Sequence, residues 1–193
     1  MSNRLEGKDF IQVGIFTAIY FLVNFVVSMM GFIPIMIPLI AVFVPLIGGI
    51  PMMLFLTKIR KPGMLTISAL LIGILMLLTG MGYWCILTCL IFGLCAEFIL
   101  KKAEYKDAKK TILAQGVYSM WTIGAFIPII ITRDSYYDML NQYYPEGYAD
   151  ALMSYMPDWI LPVLLIASLI AGIVGGIIGK NIFKKHFKRA GIL

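Results

Sequence analysis

The sequence predicts an all-α integral membrane protein with six transmembrane helices and both termini cytoplasmic, forming a single domain over residues 1–193. Three observations predict it. First, the chain is 61% hydrophobic and 13% charged, with a mean hydropathy of +0.92. A soluble domain carries about 25% charged residues and roughly 45–50% apolar ones. A water-soluble fold of this size cannot hide so much apolar surface, so lipid must cover the outside. Second, apolar runs of about the length that spans a bilayer recur along the chain. Third, the basic residues sit in short clusters between those runs and not on one folded face. The net charge of +6 is therefore a topology signal, and no nucleic-acid partner is expected.

The elements follow in order. The first run covers residues 10–30 and ends at Gly31 to Pro34. A charged start leads into it, no small-residue cleavage site follows, and an uncleaved first helix is expected. The second covers 38–57, with Pro45 and Pro51 inside it; membrane helices tolerate such prolines, at the cost of a kink. The third, 64–79, is the shortest, and Gly80-Met81-Gly82 predicts a tight turn after it. The fourth is 83–100, the fifth 111–132 and the sixth 159–183. Between the last two lies the only long connection, an external tyrosine-rich segment at 133–158, within which 149–156 has the pattern of a short amphipathic helix.

The charges orient these runs. Arg4 and Lys8 precede the first; Lys58, Arg60 and Lys61 follow the second. Lys101, Lys102, Lys106, Lys109 and Lys110 follow the fourth, and Lys180, Lys184, Lys185, Lys188 and Arg189 close the chain. With six spans, fifteen of the sixteen basic residues share one side, which the positive-inside rule makes cytoplasmic. Arg133 alone lies outside, together with Asp134, Asp138, Glu146, Asp150 and Asp158.

Several chemistries are absent from the sequence. It has no P-loop pattern and no HExxH, and its single histidine, His186, lies in the basic tail, so no enzyme activity is expected. Glu97, the one acid inside a run, reads as a helix-end ion pair with Lys101. Cys85, Cys89 and Cys95 share one run; Cys85 and Cys89, four apart, read as small residues packed between helices more readily than as metal ligands. No intrinsic cofactor or metal is expected. Small residues four apart favour close helix approach. Ala167, Ala171, Gly175 and Gly179, with Gly172 and Gly176 beside them, form such a ridge on the sixth run and read as packing within the chain. Gly14 and Ala18 on the first run fit packing within the chain or docking of a partner.

The pattern resembles the substrate-binding (S) component of an energy-coupling factor transporter. The stretch Lys8-Asp9-Phe10-Ile11 through Gly14-Ile15-Phe16-Thr17-Ala18-Ile19-Tyr20, with the short external loop and the proline-rich second helix, is most similar to the Trep_Strep branch of that group. The resemblance implies a protein of the bacterial cell membrane that captures a scarce small nutrient from outside. That cargo would be a vitamin-like compound or a tetrapyrrole such as haem. It further implies docking on a transmembrane coupling subunit, driven by two ABC ATPases that use the ATP. The family's alanine pair on the first helix contacts the coupling subunit; Gly14 stands at the first of these positions and Ala18 at the second.

A capture pocket is expected to open outside, mostly apolar with a few placed polar groups. Asn24 lies in the outer half of the first run and should face inward and form a hydrogen bond, either to another helix or to cargo. Tyr83, Trp84 and Trp159 start runs on the outside, as interface anchors or as stacking surfaces. Tyr118 and Trp121 share a face in the middle of the fifth run, as core packing or as a wall for a planar cargo. Arg133 pairs with Asp134 or a lipid phosphate, or clamps an anionic group of the cargo. Around it lie Tyr136, Tyr137, Tyr143, Tyr144, Tyr148 and Tyr155, which suggest a lid. With no external histidine, haem would need a tyrosine or methionine as axial ligand. The competing class is a membrane scaffold or accessory subunit with no pocket, which would present the sixth-run ridge to its partner.

Overall fold

The computed structural model describes residues 5–59 and 61–191, and ten α-helices lie among the described residues. Arg4 and Arg60 of the basic clusters lie outside the described residues. Helix α1 (Gly7–Ser28) runs on into a 3-10 turn (Met29–Phe32), followed by α2 (Met36–Leu56), α3 (Met64–Leu78) and α4 (Trp84–Lys102). Then come α5 (Ala108–Ser119), a 3-10 segment (Met120–Ala125) and α6 (Ile127–Ile131). Helices α7 (Arg133–Tyr143) and α8 (Tyr148–Tyr155) form a cap, and α9 (Ile160–Ile182) and α10 (Lys184–Arg189) complete the chain. Among the described residues, five stretches are long and apolar enough to cross a membrane: Gly7–Phe32, Met36–Leu56, Trp84–Lys102, Ala108–Ile131 and Ile160–Ile182. Helix α3 has 15 residues. At about 1.5 Å per residue it is roughly 22 Å long, short of the roughly 30 Å of a hydrocarbon core.

The centre of the bundle is the contact of α9 with α2 on one side and α5 on the other. Backbones meet there. A Cβ on Gly49 would lie 2.8 Å from the carbonyl carbon of Gly175, and one on Gly175 would lie 2.7 Å from the Pro45 oxygen. Only glycine permits this approach. The ridge on the sixth run is therefore buried inside the chain. Helices α3 and α4 form a hairpin, with Gly80 (φ +86°) and Gly82 (φ +81°) in the predicted turn; α4 then packs on α5, and α1 on α2 and α3. Cys85 and Cys89 are buried thiols at these helix contacts, and Cys95 is exposed.

Two expectations need correction. The fifth run is not one helix. It breaks after Ser119, continues as 3-10 turns and resumes at Ile127. Pro128 accounts for the part of the interruption next to α6, because it lacks an N–H and its ring would collide with a helical carbonyl four residues earlier, at Gly124. The Thr88 hydroxyl satisfies the altered backbone by donating to the Trp121 carbonyl at 2.8 Å.

Glu97 is the second correction. It does not pair with Lys101. Its Oε2 accepts the backbone N–H groups of Leu65 (2.9 Å) and Thr66 (3.1 Å), and its Oε1 accepts the Tyr105 hydroxyl at 2.8 Å. Helix α3 follows Gly63, which has no capping side chain, so its first amides need an outside acceptor. Those amides are fixed, partly positive donors, whereas Lys101 is exposed and solvated. Burial, and then the adjacent Glu97 charge, hold the Tyr105 hydroxyl protonated well above the usual range.

At the same end, Lys61 bridges Asp9 (2.8 Å) and Glu6 (3.0 Å), and Asp9 accepts the Glu6 N–H at 2.8 Å. This clasp ties the start of α1 to the α2–α3 loop. Hydrogen bonds from Lys8 and then Lys61 hold the Glu6 carboxyl below its ordinary value, and the bond to Asp9 raises Lys61.

Glu97→Leu leaves two α3 amides and the Tyr105 hydroxyl without their acceptor. At about 1–3 kcal/mol for each buried unpaired group, the thermal midpoint in detergent should fall by several degrees. An unchanged midpoint would show that the carboxylate does not hold α3.

Candidate functional site

The cap end of the bundle contains a pocket of about 290 Å³. Its walls come from five places in the chain: Phe25 and Ser28 of α1, Met29, Gly31 and Phe32 of the turn after it, Ile37 and Ile40 of α2, Met76, Thr79 and Met81 around the end of α3, and Ala125, Phe126 and Ile129 beside the helix break. Tyr136 and Tyr144 of the cap line it as well. No charged side chain lines it among the described residues, and Thr79 directs its hydroxyl to the Met76 carbonyl at 2.8 Å. The wall is apolar with a tyrosine rim, a composition suited to a mostly apolar small molecule.

The cap is an ordered pair of helices. The expected short helix is α8; α7 goes beyond the expectation, which placed no helix before residue 149. Leu140, Tyr148, Ala149, Leu152 and Met156 form a second apolar core with Ala41, Ile129 and Leu164 of the bundle. Tyr137 donates to Asp150 at 2.7 Å, the Tyr144 and Tyr148 rings stack at 4.4 Å, and the Tyr148 hydroxyl bonds the Gly31 carbonyl. Burial, and then neighbouring Tyr144 and Tyr136, push the Tyr148 hydroxyl up to about 12. Burial likewise raises Tyr136.

Arg133 belongs to this framework. Its guanidinium donates to the Met156 (2.7 Å) and Met153 (3.0 Å) carbonyls and to Asp158 at 3.1 Å. It therefore closes the C-terminal end of α8, where carbonyls lack helical partners. It is not part of the pocket wall, and its carboxylate partner is Asp158 in place of the expected Asp134.

A buried polar cluster lies in the middle of the bundle, apart from the pocket wall. The inward stripe of α1 is Val13, Thr17, Tyr20, Asn24 and Val27. Thr17 shares a hydrogen bond with Ser68 of α3 at 2.7 Å. Trp121 donates from its indole N–H to the Tyr20 hydroxyl at 3.0 Å, and the Tyr118 ring meets Tyr20 edge-on at 5.8 Å. Asn24 faces inward as expected, packed against Gly48 with the Tyr20 hydroxyl as its polar neighbour, although neither end of its amide reaches full hydrogen-bond geometry. The Tyr118 hydroxyl, beside Ser68, and the Gln115 Oε1 are in the same condition.

Of the residues singled out in the sequence, Tyr136 and Tyr144 line the pocket, Asn24, Tyr118 and Trp121 form a separate buried cluster inside the bundle, and Tyr137 and Arg133 brace the cap. Tyr83 and Trp159 are 60% and 67% exposed, and Trp84 stacks on Tyr83 at 5.0 Å. These three stand at the bundle surface and are not brought to the pocket. Sequence reasoning missed Tyr20 and the Met29, Met76 and Met81 walls. A seven-residue repeat of buried positions on α1 was the available signal for Tyr20.

A family model described as a hypothetical bacterial integral membrane protein (Trep_Strep) matches residues 7–189. No curated protein and no solved structure matches the chain.

Tyr148→Phe removes the tether from the cap to Gly31 and should speed proteolysis between α7 and α8, read by limited digestion. A cleavage rate equal to that of the unmodified protein would contradict this role. The raised hydroxyl also sets a pH window. The cap contribution is complete below about pH 10, the ordinary tyrosine value, and falls as pH rises through about 12.

Proposed function

The chain belongs to the Trep_Strep family of hypothetical bacterial integral membrane proteins, and from that premise we propose that it is the substrate-capture (S) subunit of an ECF-type importer in the bacterial cell membrane. The observation that carries the reading is the apolar pocket under an ordered tyrosine-rich cap, at the end opposite the basic clusters. In this reading α3 is a sixth, short span. Both termini are then cytoplasmic, the cap lies outside, and the positive-inside rule is obeyed. A short span is accommodated by local bilayer thinning or by flanking residues that reach the interface.

The chain has no P-loop, so energy comes from two partner ABC ATPases through a transmembrane coupling subunit. Small-molecule cargo enters from outside. It is a vitamin-like compound or a tetrapyrrole such as haem, for which Tyr136, Tyr144 and the wall methionines offer phenol and thioether ligands of the right chemical type. Gly14 and Ala18 support the docking part of the proposal. Both are exposed, and a Cβ on Gly14 would meet nothing within 4 Å, so packing inside the chain does not account for this pair. The scaffold alternative loses support, because the ridge it would present is buried against α2 and α5.

Gly14→Leu and Ala18→Leu should each abolish co-purification with the coupling subunit. Their own thermal midpoints should hardly move, since exposed substitutions usually change stability by less than about 0.5 kcal/mol. Normal assembly of both variants would count decisively against docking through α1.

A further inference from the structure

We propose that the pocket is entered sideways, from the outer leaflet of the bilayer, through a gap between the turn after α1 and the end of α3, and that its cargo is an uncharged, lipophilic small molecule carried in the membrane. The inference rests on the capture reading and the orientation above, and adds to them a route and a cargo class.

The connection between α1 and α2 is the starting point. No polar side chain occurs between Ser28 and Thr57, so the turn Met29–Phe32 and the residues that lead into α2 are wholly apolar. Phe32 is nevertheless 73% exposed and Ile33 55%. A contiguous exposed apolar patch marks contact with something other than water, and for an external turn of a membrane bundle the adjacent apolar medium is the outer leaflet. The backbone is arranged for that place. Ile33 donates to the Met30 carbonyl at 3.1 Å, Met36 to Ile33 at 2.9 Å and Ile37 to Pro34 at 3.1 Å. Pro34 has no N–H to satisfy, and the Gly31 carbonyl accepts the Tyr148 hydroxyl. Chain in contact with hydrocarbon must close its hydrogen bonds within the protein.

The other side of the gap is the end of α3. This helix is roughly 22 Å long against a hydrocarbon core of roughly 30 Å, so the bundle wall is lowest there. The turn that follows carries no charge, and the stacked Tyr83 and Trp84 beside it are of the type that sits at the headgroup level. The pocket lining records an opening at this place. Phe25, Met29 and Phe32 on the α1 side and Thr79 and Met81 on the α3 side are exposed, whereas Met76 and Phe126 behind them are buried. Tyr144 of the cap, also exposed, borders the same space.

The lining sets the class. It has no charged side chain among the described residues, and the Thr79 hydroxyl is spent on the Met76 carbonyl. An ionised cargo would lose its hydration without gaining a counter-charge. An uncharged lipophilic one concentrates in the bilayer and reaches the gap already free of water.

The test uses full-length protein in nanodiscs, photolabelled with phenyl(trifluoromethyl)diazirine, which is uncharged and partitions into lipid, and in parallel with its para-carboxylate, which is ionised at neutral pH. Residue-level mass spectrometry reads the label. The uncharged probe should label Met76 and Phe126 at the back of the pocket as well as lipid-facing Ile166 of α9, and the carboxylate should leave Met76 and Phe126 unlabelled. Ser28→Trp and Met81→Trp each fill one side of the gap. Either should remove most of the label from Met76 and Phe126 and leave that on Ile166 unchanged, and one serves if the other does not fold. Absence of label at Met76 and Phe126 in the unmodified protein would overturn the inference, as would undiminished label there in the tryptophan variants. Equal labelling by the carboxylate would replace the lateral route with entry from water and leave capture itself standing. Assembly of the Gly14 and Ala18 variants judges the capture reading separately.

Discussion

A polar group inside hydrocarbon must find its partner within the protein, and this constraint organises nearly everything in the bundle. Threonine and serine hydroxyls turn back to carbonyls on their own helices, as Thr57, Thr111, Ser119 and Ser168 do. Thr88 reaches across to the carbonyl beside the break in the fifth run. Glu97 supplies a helix start that has no cap of its own. Among the described residues only the Asn24 amide, the Gln115 Oε1 and the Tyr118 hydroxyl are buried without a full hydrogen bond, and Asn24 and Tyr118 still face the polar side chains of Tyr20 and Ser68.

The same constraint explains how the site is positioned. Glycine contacts between α2 and α9 draw the backbones together and place the ridge inside. Helix α1 packs mainly on α2 and α3, so one face of α1 stays bare while the opposite face carries Tyr20 and Asn24 inward, where Tyr20 meets Tyr118 and Trp121. The helix break turns Trp121 toward Tyr20 and sets Ala125 and Phe126 into the pocket wall. A continuous fifth helix would present a different face there. The cap then rests on the bundle through the Tyr148–Gly31 bond and an apolar core of its own.

Much of this was legible in the sequence, and the limits have physical causes. The long apolar helices were readable to within a few residues because hydrophobic length is a local property. The burial of Asn24, Tyr118 and Trp121 was readable too, since an amide and large aromatics in mid-run have few other places to go. The break was missed although Pro128 marked it, because prolines elsewhere, as in α2, leave the helix continuous. The partner of Glu97 was not readable: the Leu65 amide is 32 positions away, and only the fold brings it close. For the same reason the Tyr20–Trp121 bond, 101 positions apart, left no trace in local pattern. Helix α7 escaped notice because its few apolar residues, such as Met139 and Leu140, sit among polar ones and make no apolar run. Arg133 was recognised as unusual, but its partners, the α8 carbonyls, exist only once that helix has formed.

The central claim is that the cap and its pocket face the outside while the basic ends face the cytoplasm. Cysteine accessibility tests it most directly. Asp138→Cys on exposed α7 and Lys185→Cys on exposed α10, each in a Cys95→Ser background, are exposed to a membrane-impermeant maleimide in intact cells. The six-span account predicts labelling at position 138 in intact cells and labelling at position 185 only after permeabilisation. If α3 did not cross the bilayer, the cap and the C-terminal end would exchange sides. Labelling of position 185 in intact cells with position 138 protected would contradict the account.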